Sequence, residues 1–175
     1  MQERMIFAGY GGQGLMMLGK VMALSAMMEG KNVTWFPSYG AEVRGGTAHC
    51  HVVVTDDQIY SPLVETATAL VIMNGPSLKR FSPRLADGAM ILNTSLVDPP
   101  DEIDGKLVSV PATDIANELG NIRVANIVML GALNAARPIV DDAMIEKALR
   151  ESLKGKEQLV GVNLAAYARG REAAG

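Results

Sequence analysis

A chain of 175 residues, 49% hydrophobic and 20% charged, carries enough apolar material for a buried core and is not composed like a disordered segment. Its formal net charge of −3 leaves no basic footprint for nucleic acid. A single cysteine, Cys50, excludes an intrachain disulfide and a cluster held by four thiolates, and no apolar run reaches the ~18 residues of a membrane span.

Met1-Gln2-Glu3-Arg4 runs into an apolar strand without the core or cleavage site of a secretory signal, so the expected location is cytoplasmic. Residues 4–8 read as a buried strand, followed at once by a glycine loop. Residues 13–29 read as a helix that is apolar nearly all round, with Gly30 as its stop. Such a helix needs cover on more than one side, from its own sheet and from another chain. Asn32 to Phe36 is a second strand that Pro37 ends. Ala48 to Thr55 is a third, and Asp56-Asp57 turns it back into Gln58 to Ser61 as a hairpin. Strands at 69–73, 89–93 and 107–110 follow, with a helix at 77–85 after the first of them. Helices are expected at 113–119, 124–136, 141–153 and 157–172, with Asp141 and Asp142 capping the third of these. The order fits an α/β fold: a Rossmann-like, doubly wound, mostly parallel sheet with an antiparallel hairpin and a helical C-terminal region, forming one domain over 1–175. The 11 methionines read as filler for irregular core gaps or as an adaptable contact surface.

Gly9, Gly11 and Gly14 fit G-x-G-x-x-G in the confirming setting, after a strand and opening a helix. Amides at a helix N-terminus stabilise an anion. The acid that holds a ribose about 20 residues later is missing, since that stretch reads Val33-Thr34-Trp35-Phe36-Pro37, which argues against NAD. Two readings stay open: phosphate or partner binding, and a tight turn alone. The second loop, Tyr39-Gly40-Ala41-Glu42-Val43-Arg44-Gly45-Gly46, lies at the carboxyl end of a strand, where ligands collect in open α/β sheets. Arg44 suits an anion, an internal ion pair with Glu42 or an intersubunit ion pair. In His49-Cys50-His51, alternation puts both histidines on one face and the thiol on the other, and two histidines do not make a closed metal site, so no metal is expected. No nucleophile elbow, Walker lysine or H-E-x-x-H motif occurs, so no catalytic residue is expected in this chain.

Four motifs in register carry a resemblance. Gly9-x-Gly11-Gly12-Gln13-Gly14, Pro37-Ser38-Tyr39-Gly40-x-Glu42-x-Arg44-Gly45-Gly46-Thr47-Ala48, Asp56-x-x-Ile59-x-Ser61-Pro62 and Asn126-x-x-x-Leu130-Gly131-Ala132 are similar to the gamma subunit of 2-oxoacid:ferredoxin oxidoreductases. The form of the second loop resembles the 2-oxoglutarate type first and the branched-chain 2-oxoacid type next, ahead of the pyruvate type. The resemblance implies a multi-subunit enzyme that oxidatively decarboxylates a 2-oxoacid to an acyl-CoA and reduces ferredoxin. It implies thiamine diphosphate and Mg2+ between alpha and beta subunits, and [4Fe-4S] clusters on beta and, where present, a ferredoxin-like delta subunit. No cofactor is then expected in this chain, whose role is assembly, with Gly9, Gly11, Gly12, Gln13, Gly14, Arg44, Gly45 and Gly46 near coenzyme A or a partner chain. The apolar helices at 13–29 and 124–136 are expected to pack partly on partners. The alternative of another class is a stand-alone nucleotide-binding Rossmann module.

Overall fold

The computed structural model describes residues 1–38 and 47–175. Six strands form one sheet: β1 (Gln2–Gly9), β2 (Asn32–Ser38), β3 (Ala48–Thr55), β4 (Ala67–Ile72), β5 (Leu85–Asn93) and β6 (Gly105–Val110), in the spatial order β2-β3-β1-β4-β5-β6. β1, β4, β5 and β6 run parallel, while β3 is antiparallel to both neighbours. The helices are α1 (Leu15–Met28), α2 (Gly75–Phe81), α3 (Ala112–Glu118), α4 (Ala125–Ala136), α5 (Asp142–Ser152) and α6 (Val160–Ala174). The α/β expectation holds, and every strand and helix expected from the sequence is present except one.

The exception is Gln58 to Ser61, which is not a strand. The hairpin is built instead from β2 and β3, and β3 inserts between β2 and β1, pairing Phe7 with Cys50 on one side and Pro37 with Cys50 on the other. β3 finds two full-length partners this way, whereas four residues after a tight turn would have given it one short edge. Pro37 likewise does not end β2. The strand runs on to Ser38 because β2 is the sheet edge, where a missing N–H is tolerated.

Alternation divides the core. Met5, Phe7, Cys50, Val52, Val71 and Ile91 face one side, under α1, α3, α4, α5 and α6. Ile6, Ala8, Leu70, Ile72, Met90 and Leu92 face the other, where Phe81 at the end of α2 and Val64 and Val97 of the loops cover them. Residues Ala125 to Asn134 of α4 are all buried by the chain itself. A Cβ at Gly131 would overlap the Tyr167 carbonyl, and one at Gly170 the Val128 carbonyl, so glycine on each helix lets the backbones of α4 and α6 touch. α1 packs on β2, β3 and α5 and leaves one large apolar side chain of its own, Met27, well exposed. Within the described residues this chain buries α4 from Ala125 to Asn134, while α1 keeps Met16, Met17, Leu24 and Met28 half-buried and Met27 exposed. The capping expectation changes too. Asp141 is the N-cap of α5 without a side-chain bond, while Asp142 Oδ1 accepts from Tyr167 OH at 2.5 Å, Arg171 at 2.7 Å and Asn134 Nδ2 at 3.0 Å, tying α4, α5 and α6 together.

Candidate functional site

β1 leads through α1 to one side of itself, and β4 lies on its other side, so the winding reverses across the carboxyl ends of β1 and β4. That is where an open α/β sheet parts into a ligand crevice. The glycine loop occupies it, held by its own glutamine. Gln13 Oε1 accepts from the Tyr10 N–H at 2.6 Å, and Gln13 Nε2 donates to the Met73 carbonyl after β4 at 3.3 Å. Gly9 sits against that side chain, with Met73 Cβ 2.8 Å from where its own Cβ would be, so a larger residue would push the staple apart. Gly11 and Gly12 have open space around them. Gly14 takes φ +74° as the N-cap of α1, and Asn126 at the head of α4 donates Nδ2 to the Gly14 carbonyl at 2.9 Å. A Cβ at Gly14 would strike that amide. Gly9, Gln13 and Gly14 thus have packing roles, and Gly11 and Gly12 are the open part of the loop.

Beside the loop is a cleft of about 250 Å³ lined by Gly12, Gln13, Met73, Leu96, Thr113, Ile122, Arg123 and Ala125. Its residues come from the ends of β1 and β4 and from the segments after β5 and β6. Buried Asn93 fixes the far wall. Its Nδ2 donates to Thr113 Oγ1 at 2.9 Å, and its Oδ1 accepts from the Ala112 N–H at 3.1 Å. Leu96 and Ile122 stand 53% and 57% exposed at the mouth. Arg123 is the middle residue of the short turn Ile122–Val124 before α4, and its guanidinium has no hydrogen-bond or ion-pair partner among the described residues. α1 begins without a side-chain cap, which leaves its first N–H groups for an anion. Among the described residues the lining holds no carboxylate, imidazole or thiol, and its one hydroxyl is that of Thr113. Arg123 was not singled out by sequence. Its one local signal is a cation directly ahead of the Asn126 motif.

Of the other expected site residues, Arg44, Gly45 and Gly46 lie outside the described residues. His49 and His51 do share a face, with ring centres 5.4 Å apart, and Cys50 points the other way onto α1. His51 Nδ1 accepts from the Val64 N–H at 2.9 Å, and burial, then the neighbouring His49 and Arg84, lowers its pKa to about 4. Cys50 Sγ donates to the Leu15 carbonyl at 3.5 Å, and burial pushes the thiol up to about 12, so it is neither a nucleophile nor a ready ligand. Among the described residues no three of His, Cys, Asp and Glu gather to hold a metal, and no helix is long and apolar enough to cross a membrane.

The sequence matches the family described as pyruvate ferredoxin/flavodoxin oxidoreductase over residues 4–173. The ketoisovalerate oxidoreductase subunit VorA of Methanothermobacter thermautotrophicus is 38% identical over 98% of this chain, which spans only 36% of that polypeptide. Among solved structures, the gamma subunit of the keto/oxoacid ferredoxin oxidoreductase from Geobacter sulfurreducens superposes with a TM-score of 0.86 at 30% identity, covering 98% of both chains. The 2-oxoglutarate:ferredoxin oxidoreductase of Magnetococcus marinus, solved with 2-oxoglutarate, coenzyme A and succinyl-CoA bound, superposes with a TM-score of 0.89 at 25% identity over 99% of this chain and 31% of that one. A mixed six-stranded sheet with a glycine loop at its switch point, matched along nearly the whole length, shows that this chain belongs to the pyruvate ferredoxin/flavodoxin oxidoreductase family and is of its gamma type.

Proposed function

We propose that the chain, as one unit over 1–175, is the gamma component of a cytoplasmic 2-oxoacid:ferredoxin oxidoreductase and supplies a wall of its coenzyme A site. The observation that carries this is the switch-point cleft. It joins an uncapped helix N-terminus, the open Gly12 backbone and Arg123, whose guanidinium has no partner among the described residues, all suited to phosphate, to an apolar wall of Met73, Leu96, Ile122 and Ala125, suited to a flat ring. Its volume of about 250 Å³ suits part of a ligand such as coenzyme A rather than the whole. In this reading Arg44, Gly45 and Gly46 belong to the same region. The chemistry belongs to the other subunits: alpha and beta with thiamine diphosphate and Mg2+, and [4Fe-4S] clusters that pass electrons to ferredoxin, through a delta subunit where there is one. Among the described residues no three of His, Cys, Asp and Glu gather as a donor set for Mg2+ or a cluster.

For the 2-oxoacid, the Tyr39–Gly46 loop form supports 2-oxoglutarate, while the 38% identity with a ketoisovalerate subunit favours a branched-chain acid as the second reading. Purification from the native cell, followed by ferredoxin reduction with each 2-oxoacid in the presence of coenzyme A, tests both. The expected result is copurifying alpha and beta subunits and strict dependence on coenzyme A. A monomeric chain carrying stoichiometric NAD or FAD would instead establish the stand-alone module. Arg44→Ala is expected to raise the KM for coenzyme A or to weaken assembly, and the role given to that loop fails if it does neither.

A further inference from the structure

Every charge of coenzyme A lies at one end. Its nucleotide half carries a diphosphate and a phosphate on the ribose 3′ oxygen, whereas the pantetheine arm is uncharged and interrupted by amides. The lining of the switch-point cleft distinguishes these halves. Arg123 brings a guanidinium without a partner among the described residues, and no carboxylate of the described lining opposes an anion there. Thr113 Oγ1 accepts from Asn93 Nδ2 at 2.9 Å, and Asn93 is fully buried, so the hydroxyl is held in place. Its own proton has no acceptor among the described residues and is available to a ligand. The amide of Gln13 is already spent on the Tyr10 N–H and the Met73 carbonyl. Met73, Leu96, Ile122 and Ala125 are apolar. A purine carries its polar atoms on its rim and has apolar faces, so this wall covers a face while the one hydroxyl meets the rim. The amides of the arm would lose water against the same side chains with little to replace it.

We infer that the cleft takes the nucleotide end of coenzyme A and that Arg123 pairs with its 3′-phosphate, a statement that rests on the reading of this cleft as part of the coenzyme A site. The diphosphate has its own place, because in open α/β folds it lies over the backbone of the glycine loop, and Gly12 is open there. That leaves Arg123 for the other phosphate. A monoester presents several equivalent oxygens to the guanidinium fork, which pairs with them bidentately. Arg123 is exposed beside Ile122 at the mouth, so the doubly charged group keeps part of its water while the adenine is covered. The arm then runs out of the cleft and carries the thiol toward the other subunits. Arg123 is in this way a specificity-determining residue: it lets the enzyme tell coenzyme A from the same molecule without its 3′-phosphate.

The test uses the assembled oxidoreductase purified from the native cell. Ferredoxin reduction is followed at varied coenzyme A and at varied 3′-dephospho-coenzyme A, which keeps the reactive thiol. In wild type the KM for the dephospho form should be higher by about ten-fold or more, the loss of one charge-assisted pair. Arg123→Ala should raise the KM for coenzyme A by a similar factor and leave that for the dephospho form nearly unchanged, so that the two become alike. Adenosine 3′,5′-bisphosphate should compete with coenzyme A in wild type and weaken by as much in the variant. Wild-type KM values that are already alike overturn the assignment. So does an equal rise for both compounds in Arg123→Ala, because Arg123 then serves another part of coenzyme A, and the reading of the cleft survives. A variant complex that fails to assemble makes Arg123 an interface residue and overturns the assignment as well. A KM for coenzyme A unchanged by Arg123→Ala overturns the reading of the cleft itself, and the two failures are thereby distinguished.

Discussion

Gly14 and Asn126 are 112 residues apart in the chain and meet at the head of two helices. Asn126 is 3% exposed, and its amide donates to the Gly14 carbonyl and accepts the Ile127 N–H at 2.9 Å each. Asn126→Ala strands both partners and is expected to cost about 1–3 kcal/mol in urea unfolding. Gly14→Ala meets a left-handed backbone, worth ~1–2 kcal/mol by itself, and then displaces the same amide, so the double variant should cost less than the sum of the two singles. The glycine loop and the Asn126 motif were both legible as sequence, but nothing local says that one holds the other. His51 gives a pH signature. Its folded pKa of about 4 lies below the ordinary histidine value, so the unfolded chain binds the extra proton between pH 6.5 and 4. Stability is therefore expected to fall as pH drops through that window, with no contribution from this group above it. His51→Gln, compared with wild type by Tm at pH 7 and pH 4.5, should flatten that part of the fall, and an unchanged slope would assign it to other groups.

At the scale of elements, hydrophobic periodicity located the strands and helices, because burial writes directly into it. Pairing was a different matter. The insertion of β3 between β2 and β1 depends on contacts such as Phe7 with Cys50 that no local pattern encodes. The continuation of β2 through Pro37 depends on its edge position, which is itself a consequence of that pairing. The apolar circumference of α4 was legible, while its cover was not, since α6 has a mixed sequence and meets α4 through Gly131 and Gly170. Gly170→Ala puts a methyl against the Val128 backbone and is expected to destabilise by about 1–3 kcal/mol or more, read as a lowered Tm. An Ala166→Gly control in the same helix should lose only about 1 kcal/mol plus a small cavity term.

For the whole molecule, half of the candidate site was legible and half was not. Gly9 to Gly14 are contiguous and carry their own signature. Met73, Leu96, Thr113 and Arg123 come from four separate segments that only the sheet order brings to one edge. In the proposed function this edge is a binding wall for part of coenzyme A. The assembled oxidoreductase carrying Arg123→Ala, assayed for ferredoxin reduction at varied coenzyme A and varied 2-oxoacid, tests that account most directly. Loss of a charge-assisted contact worth ~1.5–3 kcal/mol should raise the KM for coenzyme A by about ten-fold or more and leave the KM for the 2-oxoacid unchanged. An unaltered KM for coenzyme A, in a complex that still assembles, would contradict it.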